Sequence, residues 1–179
     1  MHPRIAEVVN YLISARAHLD AAVEAVPAAR RDRRPADDRW SVANVVQHLA
    51  ITERRIAALI ERRTAEARAG GVGPDPETTS ILWTLDVHSL LDRRTRIETP
   101  APVAVTDAVP AGEAARLFEA AHDRMKTAFA RADGVALDRL SHPHPVLGPI
   151  NLYQWGIFAA AHEMRHAAQI REIQSQLAP

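Results

Sequence analysis

Residues 151–177, NLYQWGIFAAAHEMRHAAQIREIQSQL, decide the reading of this chain. Leu152, Trp155, Phe158, Ala159, His162, His166, Ile170 and Ile173 recur at the spacing of one helical face. The pattern predicts a helix that begins near Ile150 or Asn151 and continues to about Leu177. It follows the turn residues His142-Pro143-His144-Pro145 and Gly148-Pro149. Two histidines four apart lie one turn above the other, so both imidazoles can hold one metal ion. The run His162-Glu163-Met164-Arg165-His166 also spells H-E-x-x-H, the zinc-protease motif in which the Glu is the general base.

Three further segments carry helical periodicity. The first spans about Ile5 to Val26 through Val8, Leu12, Ala15, Leu19 and Ala22, and Pro27 closes it. The second starts at Ser41, whose hydroxyl suits an N-cap, with Trp40 and Val45 placed as a hydrophobic staple. Its stripe of Val42, Val45, Val46, Leu49, Ile56, Leu59 and Ile60 runs to about Glu66, before the breakers Gly70, Gly71, Gly73, Pro74 and Pro76. The third spans about Gly112 to Arg131, with Leu117, Ala121, Met125, Ala128 and Phe129 as its apolar face and Asp133-Gly134 as its stop. About 45 residues, Ala67 to Ala111, separate the second helix from the third. Within them a short helix is expected between Thr79 and Arg94, and extended chain over Ile97 to Pro110. A long link there and shorter links on either side predict an all-α, up-down-down-up four-helix bundle with one crossover, as a single domain over residues 1–179.

Composition narrows the function classes. The chain of 179 residues holds no cysteine, which excludes disulfides, thiolate ligands and a cysteine nucleophile. Its 22 basic and 22 acidic residues cancel, and the Arg30, Arg31, Arg33, Arg34 run is diluted by Asp32, Asp37 and Asp38. No nucleic-acid partner is expected from that balance. The first residues carry no signal-peptide apolar region, and no apolar run approaches the ~20 residues of a membrane span. A soluble, cytoplasmic protein with no membrane partner is the expectation.

His48 lies two turns into the second helix, among Val45, Val46, Leu49 and Thr52. Alone it would read as a core or boundary residue. With His162 and His166 on another helix it completes three imidazoles, and bundle cores commonly build metal sites from facing helices. Three neutral imidazoles suit zinc, nickel, iron or copper and leave a position for water or substrate. A protease needs a third ligand beyond the motif, but only 13 residues follow His166, none a histidine. Glu172 lies about 120° from the pair around the helix and cannot close the site. Glu163 therefore reads as a helix-surface residue or as a support to the ligands rather than as a base.

Three motifs carry a family resemblance. Trp40-Ser41-Val42-Ala43-Asn44-Val45-Val46-Gln47-His48-Leu49 resembles the W-S-x-x-x-x-x-x-H-L start of the second helix in the DinB-like superfamily of four-helix proteins. His162-Glu163-Met164-Arg165-His166-Ala167-Ala168-Gln169-Ile170 resembles its H-x-x-x-H-x-x-Q-I, and the segment from His144 to Leu152 its H-P-x-x-G-x-x loop. The resemblance covers about residues 5 to 176. It implies an up-down-down-up bundle and a divalent metal on His48, His162 and His166. It also implies kinship with enzymes that transfer bacillithiol or mycothiol to an electrophile, or isomerise maleylpyruvate with such a thiol.

The expectation is then a metal-dependent enzyme acting on a small molecule, a thiol-dependent transferase first, with zinc, nickel or iron and a low-molecular-weight thiol as cofactors. A metal-dependent hydrolase, and a non-catalytic metal-binding or dimerising bundle, stay open beside it. Bundles of this type often dimerise, which leaves a homodimer open too. Gln169, seven residues after His162, could brace a ligand from behind. Trp155 and His144 could wall the pocket, and His142 with them. Arg93, Arg94 and Arg96 could meet an anionic substrate or form a solvated face. His122 could face core or solvent, and His2 and His18 read as surface.

Overall fold

The computed structural model describes residues 1–94 and 101–177. Its helices are α1 (Pro3–Glu24), α2 (Val42–Ala69), the short α3 (Val87–Leu91), α4 (Ala111–Arg131) and α5 (Leu152–Gln176). A hairpin of β1 (Ser141–His144) and β2 (Gly148–Asn151) precedes α5.

Local chemistry sets the helix starts. Pro3 opens α1, where its missing N–H costs nothing. Ser41 caps α2 in a reciprocal box: its Oγ accepts from the Asn44 N–H and Asn44 Oδ1 accepts from the Ser41 N–H, each at 3.1 Å. Asn151 and Gln154 repeat the device at the start of α5, at 3.0 and 2.9 Å. These two boxes fix the phase of the helices that carry the histidines.

Ile5, Val8, Leu12, Ala15, Leu19 and Ala22 line the buried stripe of α1, which packs mainly on α5, while α2 packs mainly on α4. Gly156 of α5 lets α1 and α4 approach: a Cβ there would stand 2.4 Å from Val8 Cγ1 and 2.7 Å from Phe129 Cζ. Contacts advance together along each pair. Val8 meets Gly156 while the Gln174 amide donates to Ala25 O; Arg124 pairs with Glu61 while Arg68 donates to Asp133 O. The core forms two apolar clusters. One holds Ala15, Ile56, Met125 and Ala160; the other holds Leu19, Leu49, Ala121 and Ala167.

Several expectations need correction. The protein is mostly helical rather than all-α, because the His142–Pro149 stretch pairs as a two-stranded ribbon instead of a plain turn. Pro143 stands opposite Pro149, and a ribbon with two free edges tolerates residues that cannot donate. Gly148 takes a φ of 72°, which closes the turn. Leu117 is exposed, and Ala114 and Phe118 take its place on the buried face of α4. The short helix expected between Thr79 and Arg94 exists as α3, preceded by a 3₁₀ turn over Leu82–Thr84. Of the segment expected to be extended, 97–100 lie outside the described residues, and Ala101–Val103 form a 3₁₀ turn.

Candidate metal centre

α2 and α5 bring His48, His162 and His166 together at one point. His162 Nε2 lies 3.0 Å from His166 Nε2 and 3.4 Å from His48 Nε2. The opposite ring nitrogens are committed elsewhere. His48 Nδ1 lies 2.9 Å from the Val103 carbonyl, which only accepts, so this nitrogen is the one that carries the proton. His166 Nδ1 donates to Gln169 Oε1 at 2.7 Å. Both rings therefore turn a bare Nε2 lone pair toward His162. A proton on His162 Nε2 can satisfy one of these lone pairs, at 3.0 Å from His166 or 3.4 Å from His48, whereas a cation among the three nitrogens satisfies all of them at once. A tetrahedral ion with bonds of ~2.0–2.1 Å would hold its nitrogens about 3.3 Å apart, and an octahedral one about 2.9 Å. The two observed separations fit such a ligand set.

The environment keeps the rings neutral. Burial holds His162 well below the ordinary histidine value, and the neighbouring His166 and His48 press it in the same direction. Burial lowers His166 to about 3, and lowers His48 against the opposing pull of the Val103 carbonyl. Neutral imidazole is the ligating form. Aromatic rings close the sides. Trp40 stacks over His166 and tilts against His48, and Phe158 stacks on His162 with ring centres 5.3 Å apart. Gln47 straps the crossover to α2: its amide donates to Asp107 O at 2.6 Å and accepts from the Val109 N–H at 3.1 Å. The strap positions the segment that presents the Val103 carbonyl.

The remaining candidates fall as follows. Gln169 touches a ligand directly. His144 is buried behind Phe158, with ring centres 4.3 Å apart. Its Nδ1 accepts the N–H groups of Val146 and Leu147, and burial lowers its pKa to about 4. Trp155 packs on His142, His144 and Phe158 rather than on the ligands. Arg93 is paired with Glu172 and Arg94 with Asp92, so neither is a free anion receptor; Arg96 lies outside the described residues. Arg165 donates to Leu90 O and Asp92 O, which ties α3 to α5.

Glu163 is not a surface residue. It is fully buried and faces His122 of α4, which faces Glu53 of α2 in turn. His122 is pushed up to about 9: burial opposes its charge, and Glu163 and Glu53 outweigh that. Burial raises Glu163 to about 8 against the pull of His122. Sequence reasoning missed this cluster, the Val103 carbonyl and the Trp40 and Phe158 walls. The available signal was Glu53, five residues after His48, beside a Glu that directly follows His162.

A mostly helical bundle with three imidazoles converging between two helices defines a class of candidate metalloproteins. A family model for the DinB superfamily matches residues 11–170, and the chain belongs to that superfamily. It is similar to "Uncharacterized protein YuaE" of Bacillus subtilis (strain 168), 22% identical over 147 residues, covering 82% of this chain and 84% of that protein. No solved structure matches the chain. Among the described residues no helix is long and apolar enough to cross a membrane.

Proposed function

We propose that this chain is a metal-dependent enzyme in which His48, His162 and His166 hold one divalent ion, zinc, nickel or iron. Its proposed reaction is transfer of a low-molecular-weight thiol of the bacillithiol or mycothiol kind to a small electrophile. The observation that supports the metal is the commitment of both outer Nδ1 protons, to Val103 O and to Gln169 Oε1, which leaves two lone pairs aimed at His162. The contacts that advance together along α1 with α5 and along α2 with α4 support the up-down-down-up sense that places these helices.

When bound, such an ion lowers the pKa of a coordinated thiol or water toward neutrality. The residues supply the rest. His48 and His166 are fixed in one tautomer by their outer partners. Trp40 and Phe158 limit water on two sides of the imidazoles. The chain has no cysteine, so a thiol that reacts here must come from outside. Glu163 is turned away into the core and is not placed to act as the base of a protease.

The test is turnover of a chromogenic electrophile by metal-loaded protein with bacillithiol, mycothiol or glutathione. A thiol-dependent rate that vanishes in His162→Ala supports the transferase. No rate above the free-metal background with any of the three thiols refutes it, and ester cleavage without thiol redirects the assignment to a hydrolase.

A further inference from the structure

We infer that Glu53, His122 and Glu163 form a second, enclosed site for a divalent cation of the manganese or iron(II) kind, separate from the three imidazoles. The three side chains come from α2, α4 and α5 and are exposed by 1%, 2% and 0%. Their ligating atoms all lie within 4.8 Å of one another. His122 Nδ1 stands 3.3 Å from Glu53 Oε2 and 3.4 Å from Glu163 Oε1. None of these contacts has hydrogen-bond geometry. Both oxygens of each carboxylate, and His122 Nδ1, are buried without a hydrogen-bond partner.

Without an ion the cluster is held by two long ion pairs from His122, and its five buried polar atoms still lack a hydrogen-bond partner. A buried polar group left without a hydrogen bond costs about 1–3 kcal/mol, and one histidine proton cannot satisfy four carboxylate oxygens. A proton shared between imidazole and carboxylate draws the atoms to ~2.7–2.9 Å. The observed 3.3 and 3.4 Å are too long for that and fall in the range of ligand-to-ligand distances around a metal ion. Two carboxylates cancel the charge of a divalent ion, so the filled site is neutral and suits an apolar surround. Two carboxylates with one imidazole nitrogen form a hard, oxygen-rich set, which favours manganese or iron(II) over copper.

The position in the fold fits the same reading. On α2 the site lies between Leu49 and Ile56, on α4 between Ala121 and Met125, and on α5 between Ala160 and Ala167. Each of those pairs spans the two apolar clusters, so Glu53, His122 and Glu163 form a polar layer that divides the core in two. An ion there would tie three long helices together at mid-height. Because the layer is enclosed, the ion would be taken up as the chain folds and released only as it unfolds.

The experiment is elemental analysis of protein folded with manganese, iron(II) and zinc present and then dialysed against EDTA. The His48→Ala chain disables the three-imidazole site. It is expected to keep one manganese or iron ion per chain, released by denaturant and not by chelator. Adding Glu53→Gln or Glu163→Gln to it should abolish that retention. A folded His48→Ala chain that retains no ion overturns the inference; so does retention that both Gln variants leave undiminished. An imidazole N–H of His122 in slow exchange in that metal-free chain would show that a proton fills the place instead. Wild type and His48→Ala holding equal metal before chelation would count against the three-imidazole reading alone, and would leave this one standing.

Discussion

Replacing Gln169 with Leu keeps the bulk of the side chain and removes the acceptor that holds His166 Nδ1–H at 2.7 Å. The ring then loses the partner that selects its tautomer, and the Nε2 lone pair is no longer held toward His162. Loss of such an outer partner costs 10–100-fold in metal affinity, or about 1.4–2.8 kcal/mol. Gln169 is half-buried, so water can take up part of the loss, and a weakening of about 10–30-fold is expected. The assay is competition for zinc against a chromogenic chelator, with the melting temperature of the metal-free chain as control for the fold. Gln169→Glu retains an acceptor and should bind at least as tightly as wild type. A folded Gln169→Leu protein whose affinity stays within about twofold of wild type would refute the role of that hydrogen bond.

Three further outcomes are expected. Gly156→Ala should destabilise the chain: the helix gains about 1 kcal/mol from losing the glycine, but Val8 and Phe129 must both give way to the new Cβ, at the upper end of the usual overpacking cost, about 2–3 kcal/mol. The melting temperature should fall by several degrees, and an unchanged or higher one would contradict the close approach. Gln47→Leu should release the crossover at Asp107 and Val109, read as faster proteolysis within residues 101–110 together with weaker metal binding, since Val103 carries the acceptor for His48. Metal binding that stays constant while proteolysis accelerates would separate the strap from the site. Finally, His144 is held neutral, with a folded pKa of about 4 against an unfolded value near 6.5. Below pH 6.5 the unfolded chain takes up a proton that the folded chain refuses. Stability from this group is thus present above that pH and lost as pH falls toward 4. Urea midpoints of wild type and His144→Asn should converge over that interval; a constant gap would place the histidine elsewhere.

The contrast between what could and could not be read from the chain has a physical basis. The meeting of His48, His162 and His166 was legible because helical periodicity puts the latter two on one face of α5 and His48 beside the apolar stripe of α2. The cap at Ser41 followed from side-chain chemistry local to a few residues, whereas the one at Asn151 was legible only as an approximate helix start. The hairpin was hidden because His-Pro repeats signal a turn whether or not the flanking residues pair. Leu117 reads as core because it is an aliphatic residue one position from the buried Phe118, and one residue turns a helical side chain by about 100°. The Glu53, His122 and Glu163 layer was least accessible. Helix carboxylates are rarely fully buried, so each reads singly as a surface residue. What identifies them is their meeting across three helices, and no spacing within one segment records that.

The central claim is that one ion sits among His48, His162 and His166. Its most direct test is an anomalous difference map, recorded at the zinc edge, from crystals of the chain loaded with zinc. The account predicts a peak ~2.0–2.1 Å from the Nε2 atom of each of the three histidines. Ordered, well-resolved imidazoles with no peak between them, in crystals grown with excess zinc, would contradict it.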